Sequence, residues 1–142
     1  MNEPVSILMV DDSYEGALLV KRFAKRAAVA NPVVHMDSGR KAIEYLTAAG
    51  ADLPGCILLD VNMPGMTGHE TLAEIRASDD PAIRRIPIIF LTTSSSKEDL
   101  VPAYDGHANS YIVKPKDGAT FQQMLSSLAQ YWFDIVYRPP KP

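Results

Sequence analysis

Four apolar runs in this chain each end on a polar group. Val5-Ser6-Ile7-Leu8-Met9-Val10 runs into Asp11-Asp12, Cys56-Ile57-Leu58-Leu59 into Asp60, Ile88-Ile89-Phe90-Leu91 into Thr92, and Tyr111-Ile112-Val113 into Lys114-Pro115. Short apolar runs alternating with amphipathic segments predict a doubly wound α/β domain, and ligands of such sheets bind at the carboxyl ends of the strands. Crowded carboxylates repel one another unless a cation lies between them, so the acids point to a divalent metal. A hydroxyl and a lysine beside them point to an anion such as a phosphoryl group.

Strands are expected at about 5–10, 32–36, 56–59, 86–91 and 110–113, the third and fourth buried on both faces. Ser13 is the expected N-cap of the first helix. Val20, Phe23, Ala24 and Ala27 form its core stripe, and Lys21, Arg22, Lys25 and Arg26 its basic face. Ser38-Gly39 opens a second helix through Leu46, Thr67-Gly68 a third with Leu72 and Ile75, and a fourth begins near Ser95 or Ser96. The last helix is predicted from about Thr120 to Val136. Phe121, Met124, Leu125, Leu128, Trp132 and Ile135 lie on its core side, with Phe133 and Tyr137 off that stripe. Pro102 falls inside the fourth helix and is expected to kink or delay it. No repeat or linker divides the chain, so 1–142 reads as one domain with a core of about 5–137 and a Pro-rich tail over 138–142.

A length of 142 residues fits one full-sized core. The net charge of −3 argues against nucleic acid as an electrostatic partner. No apolar stretch approaches the roughly 20 residues that cross a bilayer. Met1-Asn2-Glu3-Pro4 does not resemble a signal peptide, and a cytoplasmic protein is expected. The single cysteine, Cys56, reads as a buried thiol of a reducing compartment. His35, His69 and His107 have no metal-ligand spacing and are read as packing or surface residues.

Val10-Asp11-Asp12-Ser13, Asp60-Val61-Asn62-Met63-Pro64-Gly65-Met66-Thr67-Gly68, Leu91-Thr92 and Lys114-Pro115 together resemble the receiver domain of two-component response regulators. The resemblance spans roughly residues 5–135 and implies a flavodoxin-like (βα)5 fold with a five-stranded parallel sheet. It implies a phosphorylatable switch rather than an enzyme, with Asp60 as phosphoacceptor. Asp12, Asp60 and the Asn62 backbone carbonyl would be Mg2+ ligands, with Asp11 acting largely through water. Thr92 would be the switch hydroxyl, Tyr111 the aromatic that moves with it, and Lys114 the phosphate-binding lysine, expected to pair with Asp60. The Lys114–Pro115 bond would be cis. Asn62 and Ser94 fall where the family tunes water access to the site. His107 stands where many receivers have glycine, and histidine tolerates positive φ better than most residues.

Thr92-Thr93-Ser94, His107-Ala108-Asn109-Ser110-Tyr111 and Tyr131-Trp132-Phe133-Asp134-Ile135-Val136 are similar to stand-alone regulators paired with phytochrome histidine kinases. The implied partners are a sensor histidine kinase, with a bacteriophytochrome as candidate, and a second copy of the chain. Phe133 and Tyr137 are the expected dimer anchors, on a face made by the fourth helix, fifth strand and last helix. Lys21, Arg22 and Lys25 are the expected kinase-docking residues. Two other readings fit less well. A haloacid-dehalogenase hydrolase needs Asp-x-Asp after the first strand, where this chain has adjacent aspartates. A flavodoxin-like electron carrier needs a Ser/Thr/Gly-rich phosphate loop there, and three acids would repel the flavin phosphate.

Overall fold

Alternate residues of the central strands serve two different cores. In the computed structural model, which describes residues 5–140, Leu8, Val10, Ile57, Leu59, Ile88 and Phe90 pack into one buried cluster. Their neighbours Ile7, Met9, Cys56, Leu58, Ile89 and Leu91 pack into the other. Successive strand side chains point to opposite faces, so an unbroken apolar run is what a sheet covered on both sides requires. Met1–Pro4 and Lys141–Pro142, which carry the expected start and part of the tail, lie outside the described residues.

The strands are β1 (Ile7–Val10), β2 (Val33–Met36), β3 (Cys56–Leu59), β4 (Ile88–Thr92) and β5 (Ser110–Val113). All are parallel, in the order β2-β1-β3-β4-β5. The chain steps from β1 outward to β2 and then back across to β3, so a crevice opens between the ends of β1 and β3. Register fixes what lines it: Val10 pairs with Leu59, and Asp11 and Asp60 are the next residues. The helices are α1 (Tyr14–Arg26), α2 (Gly39–Thr47), α3 (Gly68–Arg76), α4 (Pro81–Arg84), α5 (Lys97–Asp105) and α6 (Gly118–Ala129). A π-helical segment, Gln130–Ile135, continues α6. Residues of α1 and α6 join one core, and those of α2, α3 and α5 the other. The expected doubly wound five-stranded fold is present.

Helix starts follow the sequence. Ser13, Ser38 and Thr67 each cap their helix, and Thr67 forms a capping box with Glu70. Gly68 is required by close approach, since a Cβ there would run into the Asp60 carbonyl oxygen. The short α4 was not anticipated, although Asp80-Pro81 carries its signal as N-cap and first-turn proline. Pro102 neither delays nor interrupts α5, which runs unbroken from Lys97. Proline removes only the donor to the Glu98 carbonyl, and Glu98 is exposed to water.

Helices α1 and α5 end alike. Val29 N–H bonds Ala24 O and Ala28 N–H bonds Lys25 O; Ala108 N–H bonds Ala103 O and His107 N–H bonds Tyr104 O. Both are Schellman ends, whose left-handed position usually holds glycine. Here Ala28 has φ 57° and His107 φ 70°. His107 thus adopts the conformation its place in the sequence implied.

The C-terminal helix departs from expectation. Beyond Ala129 the chain adopts i→i+5 bonding, seen in the Val136 N–H to Tyr131 O bond of 3.0 Å. This adds a residue to each turn and rotates the apolar stripe. Phe133, five residues after Leu128, packs against the α1/α6 core and under the Arg138 guanidinium, 5.2 Å from its ring centroid. Ile135, expected in the core, is 60% exposed. Phe133 is therefore not an outward-facing anchor, whereas Tyr137 is fully exposed.

Cys56 is buried, and burial pushes its thiol up to about 12, leaving an inert core residue. Among the described residues no helix is long and apolar enough to cross a membrane.

Candidate phosphoacceptor site

At the end of β1, Asp11 turns inward and is 2% exposed, while Asp12 faces water. A buried carboxylate must be paired. Asp11 Oδ1 accepts the Ser13 N–H at 2.9 Å, and Oδ2 accepts Lys114 Nζ at 2.9 Å. His35 Nε2 donates to the Asp11 backbone carbonyl at 2.7 Å, a contact between β2 and the site that sequence spacing did not suggest. Lys114 was expected on Asp60. It sits on Asp11 because the deeper carboxylate has the greater need of a counter-charge, while Asp60 is partly open to solvent.

Asp60 ends β3, and its Oδ1 accepts the Val61 N–H at 2.8 Å. Its carboxyl is raised above the ordinary carboxylate value, chiefly by burial and then by the neighbouring Asp11 charge. The Lys114 ammonium, the Thr92 hydroxyl and the Val61 N–H pull the other way without prevailing. Carboxylate oxygens of Asp11, Asp12 and Asp60 lie within 4.8 Å of one another. Three oxygens so close, facing one lysine, fit a hard divalent cation, whose trans ligands stand about 4.2 Å apart at metal–oxygen distances of about 2.1 Å. Asn62 follows in the exposed loop after β3.

Thr92 is fully buried at the end of β4. Its Oγ1 accepts the Ser94 N–H at 3.3 Å, and its carbonyl accepts the Lys114 N–H at 2.7 Å. Tyr111 is partly buried, with its ring 5.8 Å from that of Phe90, and its hydroxyl donates to the Ser94 carbonyl at 2.8 Å. Thr92 and Tyr111 therefore meet through Ser94. The described residues contain no cis peptide bond, so Lys114–Pro115 is trans, contrary to expectation. Trans is the lower-energy isomer of such bonds, and the Lys114 N–H keeps its Thr92 partner with the bond in this form.

A family model described as the response regulator receiver domain matches residues 7–126. The chain belongs to the response-regulator receiver family. It is 32% identical over 142 residues to the response regulator Rcp1 of Synechocystis sp., covering 97% of this chain and 95% of that protein. It is 35% identical over 133 residues to the probable methanogenesis regulatory protein FilR2 of Methanothrix harundinacea, covering 92% and 84%. The phosphorylated cyanobacterial phytochrome response regulator RcpA superposes with a TM-score of 0.86 at 32% identity, over 96% of this chain and 99% of that one. Rcp1 has been solved in a Mn2+-bound form, with TM-score 0.83 at 30% identity over 96% and 100% of the two chains. Receiver domains bind their divalent cation on an acidic cluster of this kind.

Two groups of surface residues complete the picture. Lys21, Arg22 and Lys25 are exposed on α1, as expected. Beside them a groove of about 570 Å³ runs between α1 and the β5–α6 loop, lined by Leu19, Phe23, Val113 and Pro115 among others. Leu18 and Leu19, 44% and 43% exposed, add apolar surface to the solvent side of α1 beside its basic residues. At the sheet edge, β5 is flanked by α5 on one side and α6 on the other, and Val101, Tyr104, Val113, Tyr131 and Ile135 are exposed on these elements and the π segment.

Proposed function

We propose that this receiver takes a phosphoryl group on Asp60 from a sensor histidine kinase in a Mg2+-dependent reaction and acts as a switch rather than an enzyme. The observation that carries this reading is the convergence of Asp11, Asp12, Asp60, Thr92 and Lys114 from four strand ends on one crevice. One Asp60 oxygen is tied to the Val61 N–H, leaving the second to attack phosphorus while the bond to the kinase histidine nitrogen breaks. Asp12, Asp60 and the Asn62 carbonyl would hold Mg2+, which neutralises charge on the transferring phosphoryl group. Lys114 then moves from Asp11 to a phosphoryl oxygen, and Thr92 donates its hydroxyl to another.

Kinase docking falls to α1 and its groove. The exposed apolar residues Leu18, Leu19 and Val113 supply contact area, and Lys21, Arg22 and Lys25 steer association. Kinship to Rcp1 and RcpA favours a bacteriophytochrome as the kinase. The α5-β5-α6 edge is the output face and homodimer surface, with Ile135 and Tyr137 as anchors in place of Phe133. Such a switch works in the cytoplasm. The test is incubation with acetyl phosphate and Mg2+. Wild type should gain one acid-stable, alkali-labile phosphate and Asp60→Asn none; labelling of Asp60→Asn at the wild-type rate would overturn the assignment.

A further inference from the structure

Behind the switch lies a histidine whose ring nitrogens make no hydrogen bond. His69 projects from α3 with both ring nitrogens shielded from water and neither hydrogen-bonded. Its ring lies 5.3 Å from that of Phe90, whose other neighbour is the Tyr111 ring. The nearest polar group is Asp99, in the first turn of α5, with Oδ1 at 3.7 Å from His69 Nε2, beyond hydrogen-bond reach. A phenylalanine would fill this place without leaving two polar atoms unsatisfied.

Asp99 is held away by serines. Its Oδ2 accepts the Ser94 hydroxyl at 2.5 Å and the Ser96 hydroxyl at 3.2 Å. Ser94 is tied to the switch by its other polar atoms. Its N–H donates to Thr92 Oγ1 and its carbonyl accepts the Tyr111 hydroxyl. Ser94 thus links Thr92 to Asp99. When the Thr92 hydroxyl turns toward a phosphoryl group, Ser94 loses that acceptor, and the anchor of Asp99 loosens. A shift of under about 1 Å would then close the gap to His69.

We propose that His69 is a positioning residue for the phosphorylation switch: it captures the Asp99 carboxylate when Ser94 releases it, and so holds α5 in its activated position. The inference rests on Asp60 being the phosphoacceptor. In the resting state the unsatisfied imidazole costs stability, and in the activated state its new hydrogen bond recovers it. The unphosphorylated conformation is thereby primed to switch, because the two states differ by a bond that only one can make.

The test uses the full chain with beryllofluoride and Mg2+ as phosphoryl mimic, titrated by NMR. Wild type should bind, and its His69 Nε2 resonance should move on binding. His69→Phe keeps the ring on Phe90 and removes the nitrogens; it should bind about tenfold more weakly, the worth of one buried hydrogen bond, with a thermal midpoint at or above wild type. His69→Gln restores a donor and should recover much of the affinity. Asp99→Asn combined with His69→Phe should lose no more than the larger single loss. Wild-type affinity in His69→Phe, or an unmoved His69 resonance, would overturn the proposal. If His69→Phe folds poorly, the His69 resonance in wild type decides alone. A wild type that ignores beryllofluoride, like an Asp60→Asn control, would remove the phosphoacceptor reading itself and this inference with it.

Discussion

The crevice between β1 and β3 and the junction of α3 with α5 are both built from charged and polar side chains, yet they are finished differently. In the crevice Asp11 has a partner for each oxygen, and Lys114, Ser13 and Val61 fix the acids in place. At the junction His69 makes no hydrogen bond, and Asp99 is held by the Ser94 and Ser96 hydroxyls. Satisfied buried networks are rigid, and unsatisfied ones mark where a second arrangement competes. The crevice is therefore suited to chemistry, which needs preorganised groups, and the junction to motion.

The largest effect should come from breaking the crevice. Asp60→Asn should abolish phosphorylation, and Asp12→Ala should weaken Mg2+ binding and slow transfer by orders of magnitude, as read by phosphate incorporation against metal concentration. Undiminished transfer in Asp12→Ala under excess chelator would place the chemistry elsewhere.

Phe90 joins the two regions, lying fully buried between His69 and Tyr111. Phe90→Ala should cost about 3–5 kcal/mol in denaturant unfolding. A loss below about 1 kcal/mol would mean that the junction collapses onto the space more readily than a packed core does.

The crevice also carries a stability cost at neutral pH. An acid raised in the fold binds its proton more tightly folded than unfolded, so stability falls as pH rises from the ordinary carboxylate value through the raised one. The loss persists above that window. Asp60→Asn should therefore unfold at a higher temperature than wild type near pH 7, with the two converging below the ordinary value. Added Mg2+ should raise wild type toward the variant. A wild type whose melting temperature does not change across the window would refute the raised Asp60.

The smallest effect separates the two helix ends. Ala28→Gly relieves a left-handed alanine far from either region and should stabilise by about 1 kcal/mol, with no change in phosphorylation. His107→Gly relieves the same strain at the end of α5, the helix that carries Asp99. If His107→Gly alters beryllofluoride affinity and Ala28→Gly does not, motion is confined to the junction.

The strands, the starts of α1, α2 and α3 and the acidic cluster were legible in the chain, because they rest on local rules, whereas α4 went unread and α6 starts at Gly118 under an Asp117 cap rather than near Thr120. Apolar runs mark buried strands, Ser13, Ser38 and Thr67 mark caps, and polar residues at strand ends mark the crevice. Tertiary structure decided what depends on choice among several partners. Lys114 could meet either Asp11 or Asp60, and burial depth chose Asp11. His69 reads only as a packing or surface residue, since its relation to Asp99 joins α3 to α5 and has no periodicity to announce it. Phe133 and Ile135 exchanged places because a helical wheel assumes one residue count per turn, and the π segment breaks that count. Local chemistry is written in neighbouring residues; register and pairing across the fold are settled only when the elements compete for the same buried space.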